Sequence, residues 1–267
     1  IRAGQVNHVS FTGSVAGGHE IARAAGETFI STTLELGGKD PGYVRPDADI
    51  RHAVENLGDG AFFNSGQCCC GIERLYVHEA VYDAFIDGLV SFAAGYRLGN
   101  PTLPEVNIGP MAKARSADFV RDQVADAVAK GARALVDAKS FPMDERGSAY
   151  IAPQVLAGVD HNMSVMRDES FGPVVGVMKV KSDEEAIALM NDSPYGLTAA
   201  IWTSDPEAAE RIGDRIETGT VFMNRCDYLD PALAWTGVKD TGRGVSLSRL
   251  AYDHLTRPKS FHLRTRI

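Results

Sequence analysis

The sequence predicts an α/β protein in which a mostly parallel β-sheet is covered on both faces by helices. Strand-like and helix-like segments alternate along most of the 267 residues, and repeated β-α-β alternation implies parallel strands joined by helical crossovers. Glycines punctuate several turns between these segments. A hydrophobic fraction of 44% supplies enough apolar material for a large core.

Strands are predicted where β-branched and aromatic residues concentrate. They cover 6–12, 29–36, 74–77, 132–136, 150–156, 174–180, 197–203 and 219–224, with an alternating tail at 259–267. Helices are predicted where apolar residues recur at helical spacing. They begin after Gly17-Gly18 and continue over 53–61, 79–94, 113–130, 183–191, 205–217 and 246–255.

Composition argues against several classes of partner. A net charge of −8 disfavours nucleic acid and an anionic membrane surface, and no apolar run approaches the roughly 20 residues that span a bilayer. Three of the four cysteines are adjacent, at 68–70, which indicates no disulfide framework and favours a reducing compartment. We therefore expect a cytoplasmic protein. Metal ligands are normally spaced by two or more residues, so no metal is expected.

The first glycine turn follows the strand at 6–12. Gly13 and Gly18 are spaced as G-x-x-x-x-G and lead into a helical pattern. One interpretation is a helix N-terminus whose free N–H groups face a phosphate. The other is an ordinary turn between a strand and a helix, and the spacing alone leaves both open.

The cysteine run is a candidate nucleophile. Only about 3% of an unperturbed thiol is ionised at pH 7, so a reactive cysteine needs a base or a positive field. The preceding Gly66-Gln67 leaves backbone N–H groups that could stabilise a thiolate or an oxyanion. If the segment is extended, Cys69 faces away from Cys68 and Cys70. The alternative is that these thiols simply pack in the core.

Glu35 is a candidate general base. It lies between Leu34 and Leu36, and a carboxylate in an apolar setting can accept a proton near neutral pH. The alternative is a glutamate at a strand end that reaches solvent or pairs with an arginine.

Five motifs resemble those of the NAD(P)-dependent aldehyde dehydrogenase superfamily, in that family's order and approximate spacing. They are Phe-Thr-Gly-Ser (11–14), Leu-Glu-Leu-Gly-Gly-Lys (34–39), Phe-Phe-Asn-Ser-Gly-Gln-Cys-Cys-Cys (62–70), Glu-Ser-Phe-Gly-Pro (169–173) and Tyr-Gly-Leu-Thr-Ala-Ala (195–200). The resemblance implies that family's fold, an NAD or NADP cofactor, an aldehyde substrate and a homo-oligomer that uses a terminal strand for association.

The resemblance also implies the site residues. Cys69 matches the nucleophile, and Glu35 matches the base that activates the deacylating water. Six further residues match positions at the cofactor. They are Gly13 and Ser14 beside the phosphates, Gly18 where the helix approaches closely, Leu36 with its backbone at the nicotinamide, Glu169 at the nicotinamide ribose and Phe171 near the ring.

Family members are roughly twice this length, so the resemblance implies the C-terminal half of such an enzyme. The expected parts are a remnant of the cofactor domain at 1–36, a catalytic domain at 37–245, and a helix with an oligomerisation strand at 246–267. Without the oxyanion donor and adenosine pocket of the other half, the chain is expected to show little dehydrogenase activity.

Two other functions fit the same residues. One is a thiol esterase that uses Cys69 and Glu35 without a cofactor, and the other is a non-catalytic paralogue that acts by subunit association. The substrate entrance is expected near Arg225, Asp227 and Tyr228, with Trp235 further along the same region.

Overall fold

The computed structural model describes residues 1–266. Its strands are β1 (His8–Thr12), β2 (Ser31–Glu35), β3 (Asp40–Val44), β4 (Ile72–His78), β5 (Arg133–Ala134), β6 (Gln154–Ala157), β7 (Val174–Val180), β8 (Tyr195–Gly196), β9 (Thr198–Trp202), β10 (Thr220–Met223), β11 (Val238–Lys239) and β12 (Gly242–Arg243). Its helices are α1 (Val15–Gly26), α2 (Ile50–Phe62), α3 (Tyr82–Ala94), α4 (Ala114–Ala129), α5 (Ser164–Arg167), α6 (Asp183–Asn191), α7 (Pro206–Gly213) and α8 (Leu250–Leu255).

The larger sheet has seven strands in the order β10-β9-β3-β4-β7-β6-β5. Every neighbouring pair is parallel except β5 with β6. Side chains of β4 alternate between the two faces, as a strand requires. Leu75 and Val77 pack with α2 and α3, whereas Tyr76 packs with α6 and α7 on the opposite face. The predicted fold class is confirmed.

A smaller sheet joins the beginning of the chain to a later loop. β1 and β2 are parallel, and β12 adds antiparallel to β2. The sheet therefore combines residues from the predicted 1–36 unit with Gly242 and Arg243. The boundaries at 36 and 245 stay predictions.

β3 is a central strand that the sequence patterns miss. It pairs with β4 on one side and β9 on the other, and all five of its residues are buried. Pro41 and Gly42 obscure the strand pattern in the sequence, because both residues are uncommon inside strands. Asp40 also begins it, and a buried carboxylate is rare in a strand core.

The end of the chain differs from the prediction. Residues 256–266 form no strand, since they pair with no other segment in the described part of the chain. Residue 267 of the predicted tail lies outside the described residues. The predicted helix at 246–255 begins only at Leu250, because Leu247 and Ser248 have φ angles of 61° and 54°, which no right-handed helix allows. Among residues 1–266, no helix combines the length and apolarity needed to cross a bilayer.

Candidate active site

A cavity of about 380 Å³ lies beyond the carboxyl ends of β1 and β2. Ligands of α/β proteins commonly bind at this edge of a parallel sheet. The cavity is lined by Thr12, Gly13, Ser14, Glu35, Leu36, Gly37, Cys69, Glu169 and Phe171. Seven of the eight residues that the sequence singles out therefore meet in one place.

Gly18 is the eighth residue, and it lies behind the cavity inside α1. A side chain added there would come within 2.5 Å of Leu36 Cδ1. Glycine thus permits the close contact between α1 and the residue that follows β2. At the start of the same helix, Ser14 accepts a hydrogen bond from Gly17 N at 3.2 Å. The turn itself is closed by Gly13 N, which donates to Glu35 O at 3.0 Å.

Glu35 ends β2, is partly exposed, and reaches a partner that is distant in sequence. Ser246 Oγ donates to Glu35 Oε1 at 2.5 Å. Ser246 is held in turn by paired backbone hydrogen bonds with Trp235 at 2.7 and 2.8 Å. The loop after the large sheet therefore orients the candidate base. The sequence gives no signal for this contact, because 211 residues separate the partners.

The three adjacent cysteines form a compact cluster, called here the thiol trio (Cys68, Cys69 and Cys70). Their sulphurs all lie within 4.8 Å of one another, and Cys68 and Cys70 Sγ are 3.5 Å apart. Gly71 N donates to Cys68 O at 3.1 Å, so the backbone turns here. The segment is therefore not extended, and the alternation considered for an extended segment does not apply. Only Cys69 of the trio lines the cavity.

The trio shares its protons. Hydrogen bonding from Cys69 and then Cys70 lowers the pKa of Cys68 to about 3, and hydrogen bonding to Cys68 raises the pKa of Cys69 to about 11. The same contact raises the pKa of Cys70. These hydrogen bonds favour a thiolate on Cys68 over one on Cys69. Cys69 is nevertheless the candidate nucleophile, because it is the member of the trio that a ligand in the cavity can reach.

The segment before the trio is strained. Asn64 and Ser65 have φ angles of 50° and 58°, in the left-handed region that non-glycine residues rarely adopt. Gly66 shares that conformation, and a side chain there would meet Gly172 O at 2.2 Å. Such strain concentrates at functional sites.

Two backbone amides near the trio have different environments. Gln67 N donates to Asn64 O at 3.2 Å, so this amide is not free as the sequence suggested. Within residues 1–266, the N–H of Cys69 has no such acceptor. It remains available to an oxyanion beside the Cys69 sulphur.

Glu169 and Phe171 also line the cavity. Glu169 Oε1 accepts a hydrogen bond from Gly38 N at 3.0 Å. Burial, and then the charge of Glu73, raise the pKa of Glu169 to about 7. Phe171 is 41% exposed, although most large apolar side chains are buried. A half-exposed ring beside a carboxylate suits an aromatic ligand that also carries hydroxyl groups.

The position of the substrate entrance stays a prediction. None of Arg225, Asp227, Tyr228 and Trp235 lines the cavity. The guanidinium of Arg225 stacks on Tyr228 at 3.5 Å from the ring centroid, and Trp235 is buried. The thiol trio offers three donor atoms within reach of one ion, which the spacing rule did not anticipate. The expectation of no metal stays a prediction.

Comparison with known proteins identifies the class. The model of the aldehyde dehydrogenase family matches residues 1–261, and the chain belongs to that family. A probable betaine aldehyde dehydrogenase of Schizosaccharomyces pombe is 35% identical over 255 residues, which cover 96% of this chain and 51% of that protein. A succinate semialdehyde dehydrogenase [NAD(P)+] of Escherichia coli is 38% identical over 248 residues, which cover 93% and 53%.

A solved structure agrees with these relatives. Betaine aldehyde dehydrogenase from Staphylococcus aureus in complex with NAD+ superposes with a TM-score of 0.86 at 30% identity, over 93% of this chain and 50% of that one. The chain spans about half the length of the curated relatives it matches.

Proposed function

We propose that this chain carries the reaction centre of an NAD(P)-dependent aldehyde dehydrogenase, with Cys69 as nucleophile and Glu35 as general base. One observation carries the proposal: the Cys69 thiol, the Glu35 carboxylate, Glu169 and Phe171 line a single cavity of about 380 Å³. A nucleophile, a base and a cofactor wall are the three parts that such a reaction needs.

The proposed reaction begins at Cys69. Its thiolate adds to the aldehyde carbon, which forms a C–S bond and an anionic thiohemiacetal. The nicotinamide, when bound, supplies a hydride acceptor, so that the adduct on Cys69 becomes a thioester. Glu35 then removes a proton from water, which attacks the thioester carbonyl. The C–S bond breaks, the acid leaves, and the Cys69 sulphur is free again.

The residues fit the phosphate, ribose and nicotinamide parts of a dinucleotide. The Ser14-capped N-terminus of α1 borders the cavity and suits a phosphate. The carboxylate of Glu169 suits ribose hydroxyls, and the exposed ring of Phe171 suits a nicotinamide face. Close approach is possible because Gly37 has no side chain, which would otherwise lie 2.2 Å from the Glu169 carboxylate. Relatives named for NAD+ and for NAD(P)+ support either dinucleotide.

Several parts of the proposal rest on the sequence alone. They are the cytoplasmic location, the homo-oligomer and the division into units at 36 and 245. The relatives' names cover betaine aldehyde and succinate semialdehyde, so we propose an aldehyde substrate without narrowing the class further.

Hydrolysis of an activated ester tests the nucleophile without the cofactor. p-Nitrophenyl acetate is expected to acetylate Cys69 with release of one p-nitrophenolate, because the thiolate displaces a good leaving group. Peptide mass mapping should find the acetyl group on Cys69, and Cys69→Ala should lose the burst. Cys226→Ala is the matched control and should keep it. Preferential acetylation of Cys226 or Cys68 would contradict the assignment.

A further inference from the structure

A buried ion pair lies directly behind the cavity wall. Lys39 Nζ and Glu73 Oε2 are 2.5 Å apart, and the two residues are only 1% and 4% exposed. Lys39 follows the glycines after Glu35, and Glu73 is the second residue of β4, four positions after Cys69. The pair thus connects two of the segments that build the site.

The Glu73 carboxylate also binds the backbone of a third segment of the site, at residues 170–171. Its Oε2 accepts a hydrogen bond from Ser170 N at 2.7 Å, and its Oε1 accepts one from Phe171 N at 2.8 Å. Lys39 Nζ adds a contact to Ser170 Oγ at 3.3 Å. Both oxygens of one carboxylate therefore hold two consecutive amides, while Lys39 offsets the charge.

The backbone that Glu73 holds is strained at Phe171. Phe171 has a φ angle of 47°, a conformation that is costly for a non-glycine residue and persists only where the surrounding structure imposes it. The two hydrogen bonds to Glu73 impose it. The result is that the Phe171 ring is turned into the cavity instead of the core.

Glu169 feels the same carboxylate through space. It precedes Ser170, and its own oxygen is fixed by Gly38 N. Glu73 contributes the largest charge effect on Glu169, and this acts in the same direction as burial, whereas Lys39 opposes it more weakly. The ion pair therefore influences the protonation of Glu169 as well as the geometry of its neighbours.

We propose that Glu73 is a positioning residue of the active site: with Lys39 as its counter-ion, it holds the Ser170–Phe171 backbone and so sets the Phe171 ring and the Glu169 carboxylate on the cavity wall. Stability alone does not explain the pair, because buried ion pairs are about as stable as the apolar residues that could replace them. The inference rests on the proposed function, which assigns Phe171 and Glu169 to the cofactor.

Hydrogen exchange of backbone amides in the 267-residue chain tests the two hydrogen bonds to Glu73 directly. Glu73→Gln keeps the shape but offers one acceptor oxygen in place of two, so exchange at Ser170 or Phe171 is expected to accelerate about tenfold or more. Amides of β4 and β7 should keep their protection. Glu184→Gln is the matched control, because Glu184 pairs with Arg215 at the surface. Unchanged exchange at both amides in folded Glu73→Gln would overturn the proposal.

A second variant covers the case in which Lys39, left alone in the core, prevents folding. Lys39→Met with Glu73→Gln removes both charges at similar volume. Carboxyl NMR should then show the pKa of Glu169 below its wild-type value. The charge of Glu73 raises this pKa more than the charge of Lys39 lowers it, and both charges are gone in the variant. An unmoved titration would mean that the pair is only structural and would overturn the proposal. Neither readout needs cofactor or substrate, so both stand apart from the proposed function.

Discussion

Glu35→Gln is expected to trap an acyl group on Cys69. In the proposed mechanism Glu35 is needed only for the water that cleaves the thioester, so acylation should continue while deacylation slows by about 10²–10⁴-fold. With p-nitrophenyl acetate, the burst of p-nitrophenolate should persist and the steady-state rate should collapse. Intact-mass measurement should find the acetylated chain accumulating.

Two companion variants define the effect. Glu169→Gln changes a carboxylate in the same cavity, and its deacylation rate should match wild type. Ser246→Ala removes the hydroxyl that orients Glu35, and a smaller loss of about tenfold is expected, in keeping with one lost hydrogen bond. Equal deacylation rates in Glu35→Gln and wild type would assign the base elsewhere.

Asp40→Asn is expected to change the pH dependence of stability. Asp40 is 1% exposed, and Thr198 Oγ1 donates to its Oδ2 at 2.5 Å. Its Oδ1 has no partner among residues 1–266. Burial raises the pKa of Asp40 from 3.8 to about 8, against the opposing hydrogen bond from Thr198. The folded state therefore binds a proton that the unfolded chain releases near pH 4.

The sign follows from this difference. The proton's contribution to stability is complete below the unfolded pKa near 4 and is lost as the pH rises to about 8. Relative to Asp40→Asn, the wild type should lose up to about 1.4 kcal/mol of unfolding free energy per pH unit in that window. Any cost of the unpartnered Asn amide is independent of pH.

Denaturant titrations at several pH values between 5 and 8 would measure the difference. Asp87→Asn is the matched control, since Asp87 is exposed on α3, and its difference from wild type should stay flat. Parallel stability curves for wild type and Asp40→Asn would show that Asp40 does not hold its proton in the folded state.

The sequence predicts the parts of this site that lie in contiguous motifs. Cys69, Glu35 and Glu169 follow recognisable runs, and the fold brings them to one cavity. The alternation of strands and helices also predicts the sheet. These features can be predicted because each depends on a local pattern within one segment of the sequence.

Contacts between distant segments could not be predicted in the same way. Ser246 meets Glu35, and Lys39 meets Glu73, only after the sheet has formed. A hint was the charged Glu73 at the second position of a strand that is buried along nearly its whole length. The turn that gathers the thiol trio depends on hydrogen bonds that the residue types do not specify.

The most direct test of the account asks whether an aldehyde acylates Cys69 only when a dinucleotide is present. The Glu35→Gln chain would be incubated with propanal and either NAD+ or NADP+, and its intact mass and peptide map would be recorded. We expect one propanoyl group on Cys69, with one reduced nicotinamide formed for each thioester, and no acylation when the dinucleotide is omitted. This single turnover should be slow, in keeping with the little dehydrogenase activity expected of this chain, so the dinucleotide is saturating and the mass is followed for hours. A Cys69 that stays unmodified throughout, in a chain that p-nitrophenyl acetate still acylates, would identify a thiol esterase and contradict the dehydrogenase assignment.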